Sequence, residues 1–448
     1  LTRQDHGEQP FWAAIMLASM LGQIGLPGGG FGFGYSAMNY IGSQHTIIPG
    51  ASFPQGQNAI ESLIPVARIT DLLLHGGEHF DFNGIKYKYP ETKLVYWAGG
   101  NPFHHHQDLN LLMDAWHKPE TIIAHEWCWN SLAKRADIVL PCTTTLERQD
   151  IAMTPRDPYV ISMAKLTEPI GQARDDYDIF AGIATRMGVG DAFTEGRSKL
   201  EWQRWIYEQT QDNARAVKID MPNYETFLKD GWFKLSDPVK QIVMLENFRD
   251  DPISNPLDTP SGRIEIFSET VANFRYDDCP GHPTWQEPYE WLGCVDDRWP
   301  LHLISNQPKD KLHSQLDHGQ VSSAKKVNFR EPIHINPSDA ADRDLRNGDV
   351  VQVNNSRGAC LAGVVIDNAL REGVVQMSTG AWYDPEDPSK PNSLCKHGNP
   401  NVLTRDKGTS KLGQGPTAHT CMVNVSLYKK VPPRVTAHEP PEILRIEI

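Results

Sequence analysis

Three short apolar runs, each closed by a dense group of polar residues, constrain this chain more than any other feature. Lys93–Ala98, Thr121–Ala124 and Asp137–Leu140 are too short for buried helices, and the second and third are β-branched, which predicts strands. The first breaks at Gly99-Gly100-Asn101-Pro102, a sequence suited to a tight turn. Between the first two, Asp108–Trp116 sets Leu109, Leu111, Leu112 and Ala115 at helical spacing. Strand, loop, helix, strand is the unit of a parallel sheet buried on both faces, and in such sheets ligands sit beyond the carboxyl ends of the strands. Here those ends carry Asn101 and His104–His106, then His125 and Glu126, then Cys142–Thr145, Glu147 and Arg148. Polar side chains at every strand end predict a ligand with many polar groups, such as a nucleotide.

The rest of the chain takes a different character on either side. Gln9–Ile24 has a helical apolar pattern and runs into Leu26-Pro27-Gly28-Gly29-Gly30-Phe31-Gly32-Phe33-Gly34. This glycine run lacks the preceding strand and following helix of a dinucleotide fingerprint; it is either a tight loop packed by its phenylalanines or a place of close backbone approach to a ligand. Residues 35–60 are polar and glycine-containing, an ordered surface excursion. Helices are expected at Ile64–Leu74, Asp178–Met187 and Arg197–Gln209, a mixed segment at Asp220–Arg249, a strand at Arg263–Phe267, and a Pro-, Asp- and aromatic-rich linker at Asp277–Glu290. From Pro300, short strands recur between turn signals: His302–Ser305, Ile333–Ile335, Val350–Asn354, Cys360–Ile366, Gly373–Thr379 and Val423–Leu427, with a short helix at Ser338–Leu345 capped by Ser338. That spacing predicts a small barrel. The fold class is therefore α/β: a parallel-sheet, Rossmann-like cofactor-binding part followed by a C-terminal β-barrel domain. The expected division is a helical, Gly-rich part over 1–90, an α/β binding domain over 91–290 and the barrel over 291–448.

Composition excludes some partners. There are 43 Lys and Arg against 56 Asp and Glu, a formal charge of -13, which argues against nucleic acid or an anionic membrane surface. No apolar run approaches the roughly 20 residues needed to span a bilayer. The chain begins at Leu1, so the lack of a leader says nothing about export. The seven cysteines (Cys128, Cys142, Cys279, Cys294, Cys360, Cys395, Cys421) are scattered with no CxxC pair, which argues against a zinc or iron–sulfur site built within the chain and suits a reducing compartment. His104–His106 are adjacent, and adjacent histidines rarely converge on one ion. No metal ligand is assigned from the residues, and no catalytic residue.

Longer phrases carry a resemblance. HGEQPFW (6–12), LGQIGLPGGGFGFGY (21–35), GGNPFHHHQD (99–108), ADIVLP (136–141), DYDIF (176–180), TPSGRIEIFS (259–268) and YDDCPGHPTW (276–285) come first. LHSQL (312–316), NGDVV (347–351), GAWYDP (380–385) and HGNPNVLTRDKGTS (397–410) follow. Together they resemble, in order and across nearly the whole chain, the S- and N-oxide reductases of the molybdopterin family: dimethyl sulfoxide, trimethylamine N-oxide and biotin sulfoxide reductases. SNQPKDKLHSQLDHG (305–319) and HGNPNVLTRDKGTS look most like the biotin sulfoxide reductase branch. The resemblance implies bis(molybdopterin guanine dinucleotide) with one molybdenum atom, and reduction of a small sulfoxide or N-oxide by oxygen-atom transfer. It implies an electron-donor protein or reductant as partner. It also implies a long N-terminal portion ahead of the position of Leu1, which carries the serine ligand of molybdenum and the aromatic substrate pocket. With that portion a tight complex is expected. The alternative is a non-catalytic cofactor-binding or assembly subunit, or an apo fragment without the molybdenum ligand. Superfamily relatives acting on nitrate or formate are a third reading, disfavoured by GGNPFHHHQD and GAWYDP. A cytoplasmic location is preferred over a periplasmic one.

Carried over residue by residue, the resemblance assigns Asn101, His105, His125, Glu126, Arg148 and Asp178 to cofactor contacts from the sheet domain, together with Arg3. From the barrel domain it assigns Ser305, Asn306, Gln307, Pro308, Lys311, His313, Ser314, Gln315, Asn401, Ala418 and His419. Each has a physical rationale beside a structural alternative. One carboxylate at Asp178 can accept both the N–H and the amino group of guanine, or it can cap the following helix. Arg148 and Lys311 can pair with pyrophosphate oxygens or sit in ion pairs; lysine at 311 keeps a charge but has no bidentate fork. His105 suits a hydrogen bond to pterin or phosphate. His313 and Gln315 suit the same role, against a satisfied structural histidine. Asn101 and Asn401 can serve their own turns. Trp382 and Tyr383 line a substrate funnel or pack barrel against sheet.

Overall fold

The computed structural model describes residues 2–32, 41–46, 48–154, 157–237, 240–294 and 296–444. The end of the glycine run (Phe33, Gly34) and part of the 35–60 excursion lie outside the described residues. The chain forms two compact units. The first comprises Leu1–Trp12, Ser62–Val139 and Phe267–Ile448; the second comprises Ala13–Glu61 and Leu140–Ile266. The 91–290 stretch thus contributes to both.

In the first unit the three apolar runs form one sheet: β1 (Leu94–Ala98), β2 (Thr121–Glu126) and β3 (Ile138–Pro141), in that order, with β3 running on into the second unit's chain. β1 and β2 pair in parallel from Leu94 opposite Thr121 to Ala98 opposite His125. The helix between them, Leu109–Trp116, is capped by Asp108, whose side chain accepts the Leu111 amide at 3.1 Å. Its buried residues Leu109, Leu112, Ala115 and Trp116 share one face, as their spacing of three to four demands.

The six C-terminal strands close into a barrel: β4 (Leu301–Ile304), β5 (Pro332–Ile335), β6 (Val350–Asn354), β7 (Ala359–Ile366), β8 (Val374–Met377) and β9 (Met422–Leu427). The order is β4-β8-β5-β7-β6-β9, and β9 returns to β4 antiparallel. β4 pairs with β8, and β5 with β7, in parallel; the remaining pairs are antiparallel. Closure leaves no free sheet edge. Alternate residues (Val351 and Val353, Ile333 and Ile335, Val375 and Met377) point inward and join Phe103, Leu109 and Leu112 in a single core. Each such side chain contributes about 1.5–3 kcal/mol by leaving water. This shared core is why sheet and barrel belong to one unit.

The second unit is built on the helix Lys199–Ala216, opened by a full capping box between Ser198 and Glu201. It packs Tyr207 and Ala214 with Val160, Tyr224 and Phe227 in a separate core. Beside it lie the antiparallel strands Asp150–Met153, Tyr159–Met163 and Trp232–Lys234.

Four local expectations change. Arg263–Phe267 does not form a strand. Thr259 Oγ1 donates to the Arg263 carbonyl at 2.7 Å, and the Ser261 amide donates to Glu265 Oε1 at 3.0 Å, so local side-chain bonds displace a ladder. Asp277–Glu290 is packed rather than a linker. Cys279 is fully buried, Thr284 N donates to Gln9 Oε1 at 3.0 Å, and Tyr289 N donates to Asp5 Oδ2 at 2.9 Å. The helix at 338 is Pro337–Ala341 and is capped by Asn336, since Pro337 takes the first helical position. The helix expected from Ile64 starts only at Ile69, after a 3-10 turn at Val66–Arg68 that follows Pro65.

Candidate cofactor-binding site

Beyond β1 the chain reverses through two left-handed glycines, Gly99 (φ 82°) and Gly100 (φ 78°), a conformation that penalises any side chain. This places Asn101 to cap the one-turn helix Pro102–His105, its Oδ1 accepting the Phe103 amide at 3.0 Å. The turn alternative for Asn101 is therefore real, but it uses only half of the amide. Asn101 Nδ2 is buried with no hydrogen-bond partner. The three histidines go to separate partners. His104 Nε2 lies 3.2 Å from Ser131 Oγ and its ring stacks on Trp382 at 5.4 Å. His105 Nδ1 donates to the Asn101 carbonyl at 2.8 Å. His106 is buried with Nε2 unpaired. Burial holds His104 and His106 down to about 3; His105, crowded by protein and then by His313 and Arg3, is held to about 4. All three rings are neutral at pH 7 and so offer one donor and one acceptor each.

The carboxyl end of β2 brings His125 and Glu126, both buried. His125 Nε2 lies 2.7 Å from the Tyr96 hydroxyl on β1. Burial pushes the Glu126 carboxyl up to about 7, against hydrogen bonds from Asn130 and Trp127 that favour its ionised form. It can hold or release a proton near neutrality.

The barrel residues reach the same neighbourhood bond by bond. Asn401 is buried, and its Nδ2 donates to the His104 carbonyl at 3.2 Å. The His419 amide donates to the Arg3 carbonyl at 2.9 Å, and His302 on β4 lies 2.8 Å from the His419 carbonyl. Ala418 is buried beside it. Burial and then Arg3 lower His419 to about 4, and its Nδ1 has no partner. Ser305 ends β4 fully buried with its hydroxyl unpaired. Asn306 accepts the Thr379 amide at 2.9 Å through its carbonyl, and Gln307 is exposed after it, before Pro308. His313 and Gln315 are exposed on the following loop, and Ser314 accepts from Trp382 Nε1 at 3.0 Å through its carbonyl. Lys311 differs from a surface phosphate clamp. Its ammonium is enclosed between Asp317 (2.9 Å) and Glu331 (3.0 Å), which lift it to about 12 against the opposing effect of burial. Trp382 and Tyr383 are buried too, and Tyr383 holds Arg135 over its ring at 4.8 Å, a packing contact.

Arg148 and Asp178 both lie in the second unit, linked only through intermediate residues, and Arg148 Nε also pairs with Asp150 at 3.3 Å. Arg148 Nη1 donates to the Thr143 carbonyl at 2.9 Å, and Thr143 Oγ1 donates to Asp175 Oδ1 at 2.7 Å. Asp175 pairs with Lys199, which also pairs with Asp178 at 3.0 Å. The cap position of the helix Asp176–Arg186 is Asp175, not Asp178, so Asp178 stands in the first turn with its side chain 45% exposed.

Sequence reasoning passed over several residues. Gln107 Oε1 and Thr379 Oγ1 are buried without partners. Gln107 lies inside GGNPFHHHQD and Thr379 just beyond β8, so position near a strand end was the signal that could have found both. Asp317, His397 and His438 bring possible ligand atoms within 4.8 Å of one another. Asp317 and His397 fall in phrases quoted above, but nothing local marks their convergence with His438, because the three lie far apart along the chain. Asp317 Oδ1 already accepts Lys311 and Lys326, at 2.9 and 2.7 Å, so a cation there would face two ammonium groups.

A molybdopterin oxidoreductase model matches residues 1–186 and a molydopterin dinucleotide binding domain model matches 301–422. The chain is 45% identical to the biotin sulfoxide reductase of Cereibacter sphaeroides, over 96% of this chain and 57% of that protein. It is 43% identical to the dimethyl sulfoxide/trimethylamine N-oxide reductase of the same organism, over 99% of this chain and 55% of that protein. The chain belongs to the molybdopterin oxidoreductases, among relatives that reduce S- and N-oxides. It spans about half the length of the curated relatives it matches. Acetylene hydratase from Pelobacter acetylenicus shares the fold, with a TM-score of 0.57 at 17% identity over 76% of this chain and 45% of that one. No helix among the described residues is long and apolar enough to cross a membrane.

The matched family is one that binds molybdenum through bis(molybdopterin guanine dinucleotide). The residues of this molybdopterin-family chain fit such a group. Asn101 Nδ2, Ser305 Oγ and His419 Nδ1 are all buried and unpaired, and all three belong to residues that the resemblance assigns to the cofactor. Leaving such an atom unsatisfied costs about 1–3 kcal/mol, so each is open to a bond from a polar ligand.

Proposed function

We propose that this chain forms the dinucleotide-binding portion of an enzyme that reduces S-oxides or N-oxides by oxygen-atom transfer. The observation that carries the reading is the unsatisfied set Asn101, Ser305 and His419, in a chain whose relatives are sulfoxide and N-oxide reductases. When bound, the molybdenum cofactor supplies the redox and oxygen-transfer chemistry. The chain's own residues bind and orient. Asn101, Ser305 and His419 donate or accept through their unpaired atoms. Arg3 offers charge and His313 a ring N–H to a pyrophosphate, and His105, whose Nδ1–H is held by the Asn101 carbonyl, offers Nε2 as an acceptor to the pterin. Asp178 accepts the paired N–H groups of guanine, and Arg148 serves a phosphate. His125 and Glu126 close the end of β2, and Glu126 holds a proton near neutral pH. Asn306, Gln307, Pro308, Ser314 and Gln315 shape the loop that meets the dinucleotide. Lys311 serves as its buried anchor, and Asn401 and Ala418 pack the barrel side. A small sulfoxide or N-oxide is the substrate. The N-terminal portion present in the longer relatives and an electron donor are the partners.

The test is to co-express the chain with the N-terminal portion of a relative, then quantify molybdenum and acid-released guanine nucleotide. Two guanine nucleotides per molybdenum, with oxidation of a reduced dye by sulfoxide or N-oxide, is the expected result. Stable assembly with neither metal nor nucleotide overturns the proposal.

A further inference from the structure

The loop 311–317 carries Lys311, His313, Ser314 and Gln315, yet its backbone is unfavourable on its own. His313 (φ 52°) and Leu316 (φ 58°) are both left-handed and neither is glycine. Something must hold it, and the structure shows what does. Asp317 is buried at the loop's end, and its Oδ1 accepts Lys326 and Lys311. Both lysines also pair with Glu331, at 2.7 and 3.0 Å, which makes a closed set of two cations and two anions. Oδ2 of Asp317 accepts the Trp382 amide at 3.3 Å, and Trp382 Nε1 in turn holds the Ser314 carbonyl. The remaining bond to Oδ2 comes from 121 residues away: His438 Nε2 lies 3.1 Å from it. A carboxylate oxygen only accepts, so Nε2 carries the proton. The His438 ring also meets Trp382 edge-on at 4.9 Å and His397 at 5.0 Å.

His438 is brought there by a strapped tail. The Thr436 amide and hydroxyl donate to the two oxygens of Asp384, at 2.7 and 2.8 Å. Lys134 donates to the carbonyls of Thr436 and Ala437 at 3.3 and 3.0 Å, and Lys396 to Thr436 Oγ1 at 2.7 Å. Arg330 donates to the Pro433 carbonyl. The side chains of Lys311, Lys326, Asp317, Glu331 and His397 are at most 5% exposed, whereas His438 is 30% exposed. It is the accessible keystone of a buried set.

We propose that His438 is a positioning residue for the cofactor: by closing the bonding of Asp317 it presets the 311–317 loop, and the tail 433–438 is the strap that delivers it. The inference rests on the reading of that loop as a dinucleotide contact.

The test compares wild type with His438→Ala, His438→Asn and His438→Gln. Asparagine is too short to reach Asp317, whereas the glutamine amide nitrogen can stand where Nε2 stands. Amide hydrogen exchange over 311–317 is measured first, and GDP binding by calorimetry second, on the chain as it stands. The expected result is at least tenfold faster exchange in that loop for His438→Asn and His438→Ala, with GDP affinity several-fold weaker, and both restored by His438→Gln. Unchanged exchange overturns the proposal, as does faster exchange with GDP affinity unchanged. If alanine unfolds the chain, the asparagine and glutamine pair decides. Faster exchange in a chain whose wild type does not bind GDP overturns the dinucleotide reading of the loop, and with it the positioning role, while the strap itself stands.

Discussion

Gly380 stands so close to His313 that a Cβ at position 380 would lie 2.0 Å from the His313 carbonyl oxygen, and Gly380 itself has φ 99°. Both facts exclude a side chain. Gly380→Ala is expected to cost about 3 kcal/mol or more, combining backbone strain of about 1–3 kcal/mol with a clash against main chain that cannot rotate away. Urea unfolding checks the loss. A midpoint within error of wild type would show that the 311–317 loop is free to move off.

Glu126 predicts a pH dependence. Its folded value near 7 lies above the ordinary 4.5, so the folded state prefers the protonated form. The stability it contributes is fully present below about pH 4.5 and is lost as pH rises through 7, a change of about 3 kcal/mol. Glu126→Gln should remove that part of the fall between pH 5 and pH 8, measured as urea midpoints for both proteins at both values. An equal fall in the two proteins would sink the assignment.

Arg357 grips Glu290 with two bonds, 2.6 and 2.9 Å, and also donates to the Leu403 carbonyl at 2.7 Å. The pair is mostly buried. Arg357→Ala leaves a mostly buried carboxylate without its cation, held only by the Met422 amide at 2.8 Å, and should destabilise by about 3–5 kcal/mol, whereas joint replacement with Glu290→Gln should recover part of that loss. Denaturant melts of the two single variants and the double variant form the cycle; additive losses would contradict a direct coupling.

Asp178 separates a binding role from a structural one. Lys199 keeps Asp175 as a partner when Asp178 is replaced, and the Lys199–Asp178 pair is exposed, so Asp178→Asn should change stability by less than about 1 kcal/mol. Guanine recognition would nevertheless fall, by tenfold or more in GDP affinity, because an amide cannot accept both N–H groups. Equal GDP binding by the two proteins would remove Asp178 from the site.

Local pattern made much of this legible. The runs at 94, 121 and 138 became strands because short apolar runs between turn signals are too short for buried helices, and the six later strands fell within a residue or two of their expected places. Asn101, His105, His125 and Glu126 were reachable because a parallel sheet delivers its strand ends to one side. The strand expected at Arg263–Phe267 failed because Thr259 and Ser261 bond locally, a competition that periodicity does not register.

The chain's residues alone determined where the sheet and barrel strands form, that the barrel is small, and which polar groups stand at strand ends, since these follow from side-chain size, polarity and spacing over a few residues. Tertiary structure alone decided the fate of Lys311, whose charge is spent on Asp317 and Glu331, and the role of His438, set beside Asp317 from the tail. It also decided which of the polar groups remain buried and unpaired. The reason is physical: ion pairing, burial and hydrogen-bond satisfaction depend on what the fold brings within a few ångströms, across separations of tens to hundreds of residues that no local pattern encodes.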